Sequence, residues 1–263
     1  MFKRFIGIDY SGAKFASSPL PTLRVYESKV GELRKTATEV RLCTTSQKHW
    51  SRYHIAKWLL NELSDRFEAT TLVAIDHGFS FPLSYFDKYQ LPLDWQNFLD
   101  DFSHHWPTDE SCTSVKSIRT SMQDSEEGLR VGHSKWRRLC ERRVGAKSVF
   151  HFDVPGSVAT STHAGIPWLR YLRKNLSNQL HFWPFDGWNP PEGKHVITEA
   201  YPALWKNNFP KDTRTQDQHD AFSLATNLLL LADNLELSGL FNPGLSPSER
   251  ICAEIEGWIF GVT

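Results

Sequence analysis

Three short apolar runs, each closing on or near an acid, constrain this chain more than any other feature. FIGID at 5–9 ends on Asp9, TLVAID at 71–76 ends on Asp76, and HVITEAYP at 195–202 carries Glu199 before Pro202. Unbroken apolar runs of this length read as strands buried on both faces and covered by helices. TLRVYESK at 22–29 alternates as a further strand. Residues 49–67 set Tyr53, Ala56, Leu59, Leu60, Leu63 and Phe67 at helical spacing, and 166–176 does the same with Trp168, Leu169, Leu172 and Leu176. DQHDAFSLATNLLLLADNLEL opens a long apolar helix with acids at its head. Strand, strand, helix, strand predicts an α/β fold.

At 263 residues the chain can bury a proper core as one large α/β domain or two small ones. We expect one domain over 1–263, with an insertion at 88–134. That segment is rich in acids, Ser and His (FLDDFSHHWPTDESC, SMQDSEEG), has weak periodicity and reads as a helical or irregular, partly flexible insertion. Lys and Arg number 30, as do Asp and Glu, so contact with a polyanion would need a local basic patch. Cys43, Cys112, Cys140 and Cys252 show no paired spacing and read as reduced structural thiols, which argues against zinc. The N-terminal apolar run is too short for a signal peptide, and LLLLA at 228–232 is too short to span a membrane. The expectation is a soluble, cytoplasmic protein with no membrane partner. Most of the ten Trp and seventeen Phe read as core, although Trp183, Trp188 and Trp205 could stack on bases.

Asp9, Asp76 and Glu199 each stand at or near the C-terminal end of an expected buried strand. In open α/β sheets that edge lines the crevice where ligands bind. A single such acid reads as a turn or cap residue. Several converging would need a cation or a proton, and hard oxygen ligands suit Mg²⁺ or Mn²⁺. Asp217 and Asp220 share a helix face. A Thr215–Gln218 capping box accounts for an acid at 217, whereas Leu224 and Leu228 continue the face of Asp220 toward the core.

A strand ending in Asp, a later strand with an acid and a final helix opening with D-x-x-D resemble the ribonuclease H-like superfamily. More closely, IGIDYSGAK, VAIDHGFSFP, RRLCERRVG, ITEAYPALW and DQHDAFSLA are similar, in order, to motifs of the predicted nuclease family called domain of unknown function 429. The likeness spans residues 4 to about 232. The second motif departs from the family's Asp–small residue–Pro form, with His77 and Gly78 after Asp76. The resemblance implies a mixed sheet flanked by helices and a metal-dependent nuclease acting on DNA or RNA. Asp9, Asp76, Glu199 and Asp220 would be its catalytic metal ligands, with Asp217 supporting. The implied chemistry is two-metal hydrolysis with Mg²⁺ or Mn²⁺ ions about 3.5–4 Å apart.

KWRRLCERRVGAK at 135–147 is the densest basic stretch and reads as a helix. Arg138 and Arg142 would share a face and, with Arg143, either hold phosphates or form a solvated face against the acidic insert. Lys14 is a phosphate contact or an exposed hairpin lysine. His219 and His77 are candidate proton shuttles or hydrogen-bonded structural residues. Two rival functions are an actin-like or sugar-kinase ATP-dependent phosphotransferase and a non-catalytic nucleic-acid-binding module. A homodimer is left open.

Overall fold

A computed structural model describes residues 2–33, 36–42, 47–64, 70–121 and 130–263. The strands are β1 (Arg4–Asp9), β2 (Arg24–Lys29), β3 (Thr38–Glu39), β4 (Thr71–Asp76), β5 (Leu180–Trp183) and β6 (His195–Glu199). The helices are α1 (Arg52–Glu62), α2 (Leu83–Tyr89), α3 (Trp95–His105), α4 (Val115–Ser121), α5 (Leu139–Val144), α6 (Ala159–Asn175), α7 (Gln216–Asp233), α8 (Leu237–Leu240) and α9 (Pro247–Glu256). Two 3₁₀ turns, Pro202–Leu204 and Lys206–Asn208, lie between β6 and α7.

The strands form one mixed sheet in the order β3-β2-β1-β4-β6-β5. β2 is antiparallel to β1 and β3, whereas β1, β4, β6 and β5 run parallel. The expected α/β class holds. Side chains alternate between the sheet's two faces. Ile6, Ile8, Val73, Ile75 and Ile197 enter the larger apolar cluster, beside residues of α1, α3 and α6. Phe5, Leu72, Ala74 and Val196 join the cluster containing Leu224 and Leu228 of α7. Gly7 makes that second packing possible, because a Cβ there would stand 2.4 Å from the Ala221 carbonyl oxygen. The α7 backbone therefore rides directly on β1.

Several expected boundaries move. The helix expected over 49–67 is α1, which starts after its N-cap Ser51 and runs to Glu62; residues 65–69 lie outside the described residues. α6 begins seven residues before 166 and contains Pro167. The short run LHFW forms β5, a strand that the sequence pattern did not announce. In the segment 88–134, expected to be helical or irregular, α3 and α4 form, and Trp95, Phe98, Leu99 and Phe102 of α3 are buried in the larger cluster. Residues 122–129 lie outside the described residues, as does Cys43; Cys112, Cys140 and Cys252 are free thiols. No helix among the described residues is long and apolar enough to cross a membrane.

Candidate functional site

Asp9 and Asp76 face each other across parallel β1 and β4, in the register Arg4↔Thr71 through Asp9↔Asp76. Counting by two along each strand puts both on the α7 side of the sheet, with Phe5 and Gly7 and with Leu72 and Ala74. The first turns of α7 bring Asp217 and Asp220 to the same place, since both act on Asp9. Burial pushes the Asp9 carboxyl well above the usual carboxylate range, and the charges of Asp76, Asp217 and Asp220 push it further. Burial also raises Asp76, to about 8, with Asp220 and Glu199 adding to the shift. The two carboxyls are close enough to titrate together, and burial and mutual repulsion favour a proton on the pair. Asp220 is raised chiefly by burial, although Gln216 Nε2 donates to it at 2.8 Å.

Glu199 does not join this group. It pairs with Ile75 in the β4–β6 register and so emerges on the opposite face from Asp76. There Arg138 clasps it, Nη1 and Nη2 donating to its two oxygens at 2.6 and 2.5 Å, while the Phe79 N–H donates at 3.1 Å. Arg138 Nε also donates to Glu141 at 3.0 Å, and all three side chains are buried. Glu199 nonetheless borders the small cleft that Asp76 lines, together with Lys147 and Tyr201.

The basic stretch departs from expectation for a local reason. Helix α5 starts only at Leu139, so Arg138 is its extended N-cap rather than a partner of Arg142 on one helical face. With its guanidinium buried between two carboxylates, Arg138 presents no surface to a phosphate. Arg142 and Arg143 are both exposed; Arg143 pairs with Glu249 at 2.7 Å and lies over the Trp258 ring, while Arg142 Nη1 donates to the Arg137 carbonyl. The three arginines do not form a common patch. Trp183, Trp188 and Trp205 are buried.

The turn after β1 is built tightly. Gly12 packs so close to α6 that a Cβ would meet the Thr160 carbonyl oxygen at 2.0 Å. Lys14 is exposed and adopts φ 55°, a left-handed conformation uncommon outside glycine. Buried Arg52 holds this turn by donating to the carbonyls of Ser11, Ala13 and Lys14 at 3.3, 2.6 and 3.0 Å. After β4, His77 fills a buried niche against Tyr10 and Phe79, and burial drops it to about 4. It is neutral at physiological pH and serves packing. His219 Nε2 donates to the Lys206 carbonyl at 2.8 Å.

Two contributors escaped the sequence reading. Arg52 lies in a stretch whose sequence signal is apolar spacing alone, and only the fold turns it onto the β1 turn. Lys206 follows the ITEAYPALW motif directly, so its nearness to a site motif was the available signal. Its ammonium lowers both Asp76 and Asp220.

Among the described residues, no three His, Cys, Asp or Glu side chains stand ready as a cage for a metal ion. The donor chemistry nevertheless suits a hard divalent cation. Asp9 and Asp76 are oxygen donors on one face, and their burial and mutual repulsion raise both above the usual carboxylate range. The chain matches no protein-family model, no curated protein and no solved structure.

Proposed function

We propose that this protein is a metal-dependent phosphodiesterase acting on nucleic acid, with its site on the α7 face of the sheet. One observation carries the reading: Asp9 and Asp76 lie in register at the ends of adjacent parallel strands, crowded by Asp217 and Asp220 from α7. Carboxylates gathered this way are costly unless positive charge or a proton offsets them. The antiparallel β3-β2-β1 half beside parallel β4, β6 and β5 supports the ribonuclease H-like resemblance, as does the D-x-x-D opening of the helix on β1.

Asp9 and Asp76 would hold Mg²⁺ or Mn²⁺, with Asp220 and Asp217 completing the set. A bound ion of this kind supplies charge at the reacting phosphate and acidifies water. The chain's own part is to fix those carboxylates and to manage the proton. Water oxygen bonds to phosphorus, the bond from phosphorus to one sugar oxygen breaks, and the half-buried acids of α7 take the water's proton. The departing oxygen takes its proton from solvent. Arg52 keeps the β1 turn, and with it Asp9, in place.

A panel of labelled DNA and RNA strands and duplexes with Mg²⁺ or Mn²⁺ tests this. The wild type is expected to cleave at least one, and Asp9→Asn to lose about 10²-fold or more. Cleavage undiminished in Asp9→Asn would overturn the site. Binding without cleavage would favour a nucleic-acid-binding module, and thermal stabilisation that requires nucleotide would favour a phosphotransferase.

A further inference from the structure

We propose that Phe15, Tyr53 and Lys57, with Lys14, form a stacking platform for an unpaired nucleic-acid strand, so that the preferred substrate has single-stranded character. This rests on the nucleic-acid reading above and deepens it by naming the form of the substrate.

The aromatic surface of the protein is concentrated in one place. Of the chain's ten Trp, seven Tyr and seventeen Phe, the only exposed ones among the described residues are Phe15, at 44%, and Tyr53, at 42%. Both belong to the junction between the turn after β1 and the head of α1. The Tyr53 N–H donates to the Ala16 carbonyl at 3.1 Å, and Ala16 packs against Ala56 of α1 and Trp168 of α6. The other rings serve the core, as do the tryptophans expected to stack on bases.

Unpaired positive charge lies beside these rings. Lys57, one turn along α1 from Tyr53, donates from Nζ to Tyr171 Oη at 2.9 Å. Its ammonium stands 5.7 Å from the Tyr53 ring centre and 5.1 Å from that of Tyr171. Among the described residues no carboxylate pairs with Lys57 or with exposed Lys14, so both charges are open to an anion. Tyr53 meets Trp168 and His54 edge to face, at 6.2 and 5.4 Å, which fixes the plane of its ring. A fixed ring beside an unpaired cation takes a base and its phosphate together. Bases in a duplex are stacked on one another and leave no open face for Tyr53.

Arg52 ties the platform to the acids. Its bonds to the Ser11, Ala13 and Lys14 carbonyls join the head of α1 to the turn that starts just after Asp9. The chain from Asp9 to Lys14 reaches at most about 18 Å. A strand held on the platform therefore lies within a few nucleotides of Asp9, across the carboxyl edge of the sheet from α7. The basic stretch at 135–147 offers no common patch in its place, because Arg138 is buried between carboxylates.

Fluorescence anisotropy of labelled oligo-dT and oligo-U, and of duplexes of the same length, reads strand binding in EDTA buffer without turnover. The wild type is expected to bind a single strand at least tenfold more tightly than duplex. Tyr53→Ala and Phe15→Ala should each weaken single-strand binding about tenfold, and Tyr53→Phe should recover it. Lys57→Gln should flatten the logarithmic salt dependence by about 0.7. Melting curves establish that each variant is folded. Duplex bound as tightly as single strand, or unchanged strand affinity in folded Tyr53→Ala, would overturn the inference and leave the metal-site reading standing. A wild type that binds no oligonucleotide would overturn it too, and the cleavage panel then judges the metal site by itself. Binding that depends on Tyr53, with no cleavage of any substrate, would support the platform and bring down the phosphodiesterase.

Discussion

Arg138 decides which carboxylates of this protein stay available. Its guanidinium is buried and shared between Glu141 and Glu199, and Glu256 accepts backbone N–H bonds from Leu83 and Leu139 close by. Removing one partner from a buried charge set costs far more than the set contributes intact, because the remaining charges lose their counterion. Arg138→Met is therefore expected to destabilise the protein by about 3–5 kcal/mol in urea unfolding, and adding Glu199→Gln and Glu141→Gln should recover part of the loss. An Arg138→Met variant as stable as wild type would contradict this account of the cluster. Asp9 and Asp76 were legible in the sequence because each ends its strand. Glu199 was misplaced for the same reason: it too ends a strand, but one paired a single residue out of step with Asp76. Register lies in the pairing and not in any one run, and a step of one residue changes the face.

Elements position the site through close backbone approach. Helix α7 crosses β1 at Gly7, where an added Cβ would strike the Ala221 carbonyl oxygen and crowd the Ala225 nitrogen at 2.7 Å. Gly7→Ala is expected to cost about 1–3 kcal/mol in urea unfolding. It should also weaken Mn²⁺ binding, since α7 carries Asp217 and Asp220. A Gly7→Ala protein with unchanged stability and unchanged Mn²⁺ affinity would mean that α7 does not need this contact. Most core strands and the long helix could be read from their patterns. Helix α3 was not placed individually, although Trp95, Phe98, Leu99, Phe102 and Trp106 follow helical spacing, because the acids and histidines among them mask it within a segment read only as a helical or irregular insertion. Its contribution to the core predicts that Phe102→Ala costs about 3–5 kcal/mol by the same measurement. The basic stretch failed in the opposite sense. Its charges suggested a long helix, but the extended backbone at Arg138 leaves only Leu139–Val144 helical.

At the scale of the whole molecule, charges balance, so the dependence of stability on pH reflects a few buried groups rather than general repulsion. His77 and His163 are held neutral by burial, lowered to about 4 and about 3. Between the ordinary histidine value near 6.5 and those values the unfolded chain binds more protons, so they make stability fall as pH drops. Asp9 and Asp76 work the other way. Raised in the folded state, Asp76 to about 8, they make the folded chain the better proton binder from about pH 4 upward, and stability falls as pH rises. The two effects oppose each other from about pH 4 to 6.5; above that the histidine contribution is spent, while Asp76, raised to about 8, still lowers stability as pH rises.

On the proposed reading, these carboxylates are an electrostatic unit that a divalent cation would complete. Melting temperatures of the wild type and Asp76→Asn at pH 6.5 and pH 8, each with and without Mn²⁺, test it most directly. The account predicts that the metal-free wild type melts lower at pH 8 than at pH 6.5 and that Mn²⁺ reverses the loss. Asp76→Asn should show a smaller pH effect and little response to Mn²⁺. A metal-free wild type equally stable at both values, or an Asp76→Asn variant stabilised by Mn²⁺ as much as wild type, would contradict it.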